Sequence, residues 1–244
     1  MADRRSSRVW FFDLDNTLHK ASGHVFGALN VAMTDYIAEY LDLPRDEASE
    51  LRARYWHRYG ATLLGLERHH GVSAAHFLAQ THALPGLEDH LHSHAHDLAA
   101  LRRLPGRKFL LTNAPLAYAL RVLAALGMSR DFEGVVAMEQ MRMFGQLRPK
   151  PDARMFRHLL ARLRLQPGQC TLVEDTLVHQ KVARGVGMST VWMQRWLQRA
   201  TIGPEAGARL RRRPVYVDQR VRSLAQLKSL ETACRGDPTS GSCG

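Results

Sequence analysis

The feature that most restricts how this 244-residue chain can fold is a rhythm in its hydrophobicity. Short apolar runs alternate with longer stretches in which apolar residues recur every three or four positions. The runs lie at Arg8–Phe12, Lys108–Thr112, Gly134–Met138, Cys170–Glu174 and Ser189–Met193, with a shorter one at Val215–Val217. A strand with water on one face alternates apolar and polar residues. A nearly continuous run instead predicts a strand covered on both faces, as in a parallel sheet. The intervening stretches carry helical stripes. Leu116, Leu120, Leu123 and Ala124 form one, closed by Gly127; Met155, Phe156, Leu159, Leu160 and Leu163 form another, opened by Pro151–Asp152. This β-α alternation predicts a three-layer α/β fold with a parallel sheet.

From about His19 to His96 the alternation stops and only helical patterns remain, at roughly 25–41, 46–59, 73–83 and 88–103. A helical insertion directly after the first strand predicts a cap over that strand's C-terminal end, the edge where open α/β sheets bind ligands. The expected organisation is a core of residues 1–18 and 97–232, a cap of residues 19–96 and a disordered tail of residues 233–244, with a final helix at about 220–230.

No stretch approaches the roughly 18 apolar residues of a membrane-spanning helix, and the N-terminal run Val9–Phe12 is shorter than the roughly 7–15 residues of a secretory signal's apolar region. A cytoplasmic protein with no membrane partner is expected. Three cysteines at 170, 234 and 243, odd in number and without paired spacing, argue against a disulfide framework or a zinc site. The net charge of +11 suits either nucleic acid or a small phosphorylated substrate and does not choose between them.

Chemistry is concentrated at the strand ends. Asp13-Leu14-Asp15-Asn16-Thr17 follows the first strand at once, so a loop must hold two carboxylates at the sheet edge. Close carboxylates repel unless a cation or a shared proton relieves them, and Mg²⁺, which takes oxygen ligands, answers that need. Thr112-Asn113 ends the second core strand, Lys150 sits between Pro149 and Pro151 before a helix, and Glu174-Asp175 ends the fourth strand. Each alone could be something ordinary: an Asx turn, a helix cap, a solvated loop charge, a plain strand exit. Four in order, each at a strand end or helix entry, are hard to assign to chance.

Together these segments resemble the four motifs of the haloacid-dehalogenase superfamily, over about residues 8–230, which implies a Rossmann-like three-layer core with a mobile helical cap inserted after the first strand. Within it, the cap sequence from Tyr55 to Leu66 is similar to that of pyrimidine 5′-nucleotidases, as are Thr112–Pro115 and Gly187–Val191. The resemblance implies an Mg²⁺-dependent phosphomonoesterase in which Asp13 is the nucleophile and Asp15 the general acid and base. It implies that Asp13, Asp175 and the backbone carbonyl of Asp15 hold Mg²⁺, with Glu174 contributing directly or through water. It further implies that Thr112, the backbone N–H of Asn113 and Lys150 hold the phosphoryl oxygens. The subgroup similarity points to UMP and CMP as substrates, with Asn16, Tyr55 and Tyr59 as candidates for specificity. Asp15 argues against a dehalogenase, because a departing halide needs no proton. Many relatives carry another acid about four residues after the fourth-motif aspartate, where this chain has His179.

Other features carry less. Histidines cluster at 82, 90, 92, 94 and 96, and the alternation from 90 to 96 points side chains apart on a helix rather than toward one metal. Tyr55, Trp56 and Tyr59 suit base stacking or core packing equally. Arginines at 195, 199, 209, 211, 212, 213, 220 and 222 form the only basic patch, with no base-reading motif beside it, so nucleic-acid binding is not expected. The alternatives are a phosphatase or phosphomutase for another small ester, such as phosphoglycolate or a sugar phosphate, and, from another class, a nucleic-acid or protein-binding module using the basic segment.

Overall fold

A computed structural model describes residues 8–197 and 212–228. Its centre is a six-stranded, all-parallel sheet of β1 (Val9–Phe12), β2 (Arg107–Leu111), β3 (Gly134–Val136), β6 (Cys170–Glu174), β7 (Ser189–Met193) and β8 (Gln219–Val221), in the order β3-β2-β1-β6-β7-β8. The four residues of β1 are all buried because alternate side chains enter opposite layers. Phe11 joins Phe109, Leu172 and the apolar stripe Met155, Phe156, Leu159 and Leu160 of α7 (Ala153–Arg162). Trp10 and Phe12 join Leu110, Val173 and Val191 and the stripe Ala119, Val122 and Leu123 of α6 (Leu116–Ala125); of the expected stripe only Leu123 is buried, Leu120 and Ala124 facing outward. Helices on both faces of a parallel sheet are the three-layer architecture that the continuous runs imply.

Between β1 and β2 lie α1 (His24–Leu41), α2 (Arg45–Tyr59), α3 (Thr62–His70), α4 (Ala74–Thr81), a 3₁₀ turn at Leu87–His90 and α5 (Ala95–Arg103). Two of the helical patterns need correction. Periodicity alone passes from α2 to α4 without α3, and it joins the 3₁₀ turn to α5 as one helix. Gly60 and Gly71, both at positive φ, bracket α3 and are its sequence signal. The four helices α1 to α4 pack through Tyr36, Ile37, Leu51, Tyr55, Leu63, Leu66 and Phe77. Gly65 of α3 has no Cβ because one placed there would lie 2.3 Å from Cγ of Tyr55. Gly65→Ala should cost about 1–3 kcal/mol by forcing α2 and α3 apart. Thermal unfolding checks this, and an unshifted midpoint would contradict it. Leu84, Leu87 and Leu91, from the segment before α5, belong to the cluster that contains Tyr118 of α6.

The hairpin of β4 (Arg142–Met143) and β5 (Gln146–Leu147) has no hydrophobic signature, because each strand is only two residues long. Its turn is Phe144-Gly145, both at positive φ. The last strand is displaced from 215–217 to Gln219–Val221. Val217 N–H closes a turn onto the Pro214 carbonyl, Val215 is exposed, and pairing with β7 begins at Gln219. In place of the final helix a 3₁₀ turn runs over Leu224–Lys228. The expected tail, Cys234, Cys243, Arg199, Arg209 and Arg211 lie outside the described residues.

Candidate active site

Asp13 continues β1 by one residue, its N–H donating to the Val173 carbonyl of β6 at 3.0 Å. Thr112 extends β2 in the same way toward Val136 of β3 at 3.0 Å. Glu174 is the last residue of β6, and Asp175 follows it. The chain winds outward from β1 to β2 and β3, then crosses to β6, β7 and β8. The reversal therefore lies between β1 and β6, the switch point at which a crevice opens beyond the strand ends.

Into that crevice the fold brings Asp13, Lys150, Glu174 and Asp175. Lys150 is buried, not a solvated loop charge, with 1% of its surface exposed. Its ammonium donates to Asp13 Oδ1 and to Glu174 Oε2, each at 2.7 Å. The loop that carries it is tied to β2 by a reciprocal pair with the Asn113 amide: Asn113 Nδ2 donates to the Lys150 carbonyl at 2.9 Å, and Lys150 N–H donates to Asn113 Oδ1 at 3.0 Å. Ligand atoms of Asp13, Glu174 and Asp175 lie within 4.8 Å of one another. Two of the three carboxylates, Asp13 and Glu174, share one ammonium, and the protonation of all three shows the strain. Burial, then Glu174, pushes Asp13 up to about 6 against the pull of Lys150. Burial, then Glu174 and Asp13, holds Asp175 well above the usual carboxylate range. Burial opposes ionisation of Glu174 as well, but Lys150 and His179 outweigh it and hold that carboxyl low. An all-oxygen, net-negative donor set of this kind fits a hard divalent cation.

Glu174 is set to hold Lys150 more than to bind a metal. Its Oε2 meets Lys150 and, at 3.1 Å, His179 Nδ1, and its Oε1 accepts from Thr176 N–H at 3.2 Å. The loop behind the two acids is pinned from outside: Gln180 Nε2 donates to the Glu174 carbonyl and Trp192 Nε1 to the Asp175 carbonyl. Asp15 has partners of its own. Its Oδ1 accepts from the Tyr118 hydroxyl at 2.7 Å and lies 3.0 Å from His19 Nε2. Burial first, and then the Asp15 charge, raises the Tyr118 hydroxyl above its ordinary value, which keeps it a phenol donor. Behind Tyr118, burial lowers His82 to about 4, so it packs as a neutral ring. Thr112 Oγ1 accepts from Ala114 N–H at 3.0 Å, so its hydroxyl hydrogen remains available to a ligand.

Thr17, His19 and Tyr118 were not read from the sequence. Thr17 donates to Asp13 Oδ2 at 3.0 Å and His19 meets Asp15, both at a spacing of four. That spacing was a usable signal. Tyr118 lies 103 residues from its partner and had none. The polar atoms of the three specificity candidates are engaged within the protein. Asn16 Oδ1 accepts from Ala21 and Ser22 N–H at 3.1 and 2.8 Å, stabilising a turn whose Asn16 has φ 57. Tyr55 packs in the core of the helical layer with its hydroxyl on His70, and the Tyr59 hydroxyl is held by His69. The basic segment is partly spent internally: Arg195 pairs with Asp97 and His96, and Arg213 donates to the Asp218 carbonyl. Among the described residues no histidine joins a group placed for metal binding, and no helix is long and apolar enough to cross a membrane.

Comparison with known proteins agrees with this geometry. The family described as haloacid dehalogenase-like hydrolase matches residues 8–187, well over half of the chain. A plasmid-encoded phosphoglycolate phosphatase of Cupriavidus necator is 33% identical over 58% of this chain and 55% of its own length. Phosphate metabolism protein 8 of Saccharomyces cerevisiae is 26% identical over 61% of this chain and 49% of its own. The matches therefore span about half the length of these relatives. Among solved structures, a phosphatase of the same superfamily from Thermococcus onnurineus superposes with a TM-score of 0.60 at 20% identity, covering 92% of this chain and 97% of that one. An L-2-haloacid dehalogenase from Xanthobacter autotrophicus gives 0.53 at 17%, covering 93% and 98%. Both likenesses are of fold.

Proposed function

The chain belongs to the haloacid dehalogenase-like hydrolases, and from that premise we propose that it is an Mg²⁺-dependent phosphomonoesterase working through an aspartyl-phosphate. The observation that carries the reading is the buried Asp13–Lys150–Glu174–Asp175 cluster at the switch point, with Asp15 held beside it. Asp13 attacks phosphorus, dividing one hard displacement into two easier ones. Asp15 gives a proton to the leaving oxygen and later takes one from water. Lys150, the Thr112 hydroxyl and the Asn113 backbone N–H hold the equatorial phosphoryl oxygens, where charge stabilisation contributes most. Mg²⁺ would be held by the carboxylates of Asp13 and Asp175 and the carbonyl of Asp15, and would neutralise charge between nucleophile and phosphate. Glu174 serves by fixing Lys150. The helices between β1 and β2 act as the cap that covers the bound ester.

For substrate we propose pyrimidine nucleoside 5′-monophosphates, on the similarity of the segment 55–66 to that subgroup. Because Tyr55 is committed to packing and Asn16 to a turn, recognition of the base falls to other cap residues. Phosphoglycolate is the second reading, favoured by the 33% identical relative of that name. The test is phosphate release with Mg²⁺, and with EDTA, from UMP, CMP, AMP, GMP, phosphoglycolate and hexose phosphates. Metal-dependent turnover of UMP and CMP at least about tenfold above the rest, a barrier difference of about 1.4 kcal/mol or more, supports the first reading. Preference for phosphoglycolate replaces it with the second. No release from any ester refutes the phosphatase.

A further inference from the structure

We infer that Tyr118 and His19 are positioning residues for Asp15 and that they single out its Oδ2 as the oxygen exchanging the proton; the inference deepens the phosphatase reading and rests on it. Both partners reach the same oxygen. The Tyr118 hydroxyl donates to Oδ1 at 2.7 Å from α6, and His19 Nε2 lies 3.0 Å from it, on the loop after β1. Tyr118 is 1% exposed and His19 0%, whereas the Asp15 side chain keeps 17%.

The ring nitrogens fix the direction of the His19 contact. Its Nδ1 is buried without a partner. A proton there would leave an orphaned N–H in the interior and set Nε2 against Oδ1 as two acceptors. With the proton on Nε2, His19 donates to Asp15, and the only unmet group is a lone pair. Oδ1 therefore accepts two hydrogen bonds from elements on different sides, which fixes the rotation of the carboxyl group. An oxygen so engaged has no lone pair left for a proton. Oδ2 receives no hydrogen bond from the described residues and is the only place for one.

As the bond from Asp13 to phosphorus forms and the ester P–O bond breaks, the proton on Asp15 Oδ2 passes to the departing alkoxide, leaving an alcohol and an Asp15 carboxylate. When water attacks the aspartyl-phosphate, its proton returns to Oδ2, the P–O bond to Asp13 breaks, and phosphate leaves. Tyr118 and His19 exchange nothing. They keep Oδ2 aimed, which matters most when the leaving group needs the proton.

Leaving-group dependence tests this through kcat/KM, which reports the phosphorylation step and not the later hydrolysis. p-Nitrophenoxide departs without a proton, whereas an alkyl alkoxide does not. In Tyr118→Phe and His19→Leu, kcat/KM for the best alkyl ester of the panel should fall about 10- to 100-fold, and for p-nitrophenyl phosphate less than about threefold. His19→Gln, which keeps a donor in the same direction, should recover most of the alkyl activity. Equal losses on both substrates would overturn the inference and assign the residues to packing, and so would no loss on either. A wild-type protein that hydrolyses neither ester would refute the phosphatase reading itself, a result distinct from both.

Discussion

Asn in place of Asp13 should reduce phosphate release to background and, at the same time, make the metal-free protein more stable at pH 8. The first effect follows from the nucleophile: an amide oxygen cannot form the acyl-phosphate, and loss of the group that begins a covalent mechanism costs at least about a thousandfold. The second follows from burial. The folded state raises Asp13 from an ordinary value of 3.8 to about 6, through desolvation and the nearby Glu174 charge. The folded protein thus binds this proton more tightly than the unfolded chain. Stability is lost as the pH rises through the window from about 4 to about 6, and the loss is complete above it. Asn carries no charge at any pH, and Lys150 keeps Glu174 as a partner. The variant should gain about 1–3 kcal/mol over wild type at pH 8, the difference closing toward pH 4. Urea unfolding in EDTA at both pH values measures it. A variant that is inactive but less stable at pH 8 would show that the Asp13–Lys150 contact outweighs the cost of burying the charge.

The same residues show what a sequence can disclose. β1 and β6 were legible because a strand covered on both faces must be apolar almost throughout. Asp13, Glu174 and Asp175 were legible because carboxylates at the ends of such runs fall at the sheet edge, where charge is held at a cost unless a ligand offsets it. Lys150 stood out by its flanking prolines, but that it would be buried against two acids is a tertiary fact with no local signature. Tyr118 presents the same limit more sharply. On α6 it lies off the stripe read from Leu116, Leu120, Leu123 and Ala124, and only the fold buries it and brings its hydroxyl to Asp15. Tyr55 shows the converse. An aromatic on a helix face fits a stacking platform and a packed core equally, and Gly65, which makes room for its ring, decides for the core. At the C-terminal end, Val215–Val217 has the composition of a strand, yet the turn closed on Pro214 delays pairing until Gln219. Local composition ranks the candidates there, and neighbours choose among them.

Lys150→Met should remove both activity and much of the fold's stability, and the two losses have different origins. Methionine nearly matches the lysine side chain in length and volume, so packing is retained and the change isolates the charge. Without the ammonium the equatorial phosphoryl oxygens lose the cation proposed to hold them, a loss of about 10²–10³ in turnover by analogy with removing one donor from a charge-stabilising site. In the resting protein the vacancy faces Asp13 Oδ1 and Glu174 Oε2, each 2.7 Å from the lost nitrogen and both buried. Removing one partner from a buried ion pair costs about 3–5 kcal/mol, because the remaining charge keeps its desolvation penalty with nothing to offset it. The pH dependence identifies the cause. In wild type Lys150 and His179 hold the Glu174 carboxyl low despite its burial. Without the lysine, that group rises, the folded state binds its proton more tightly than before, and the variant loses stability as the pH climbs above the ordinary carboxylate range. The gap between variant and wild-type urea midpoints in EDTA should therefore be wide at pH 8 and narrow at pH 5. A gap independent of pH would place the loss in packing, and no gap at all would mean that Asp13 and Glu174 find another cation in the folded chain. His179, 3.1 Å from Glu174, is the nearest source of one, which makes Lys150→Met with His179→Ala the variant in which the two carboxylates are left to each other.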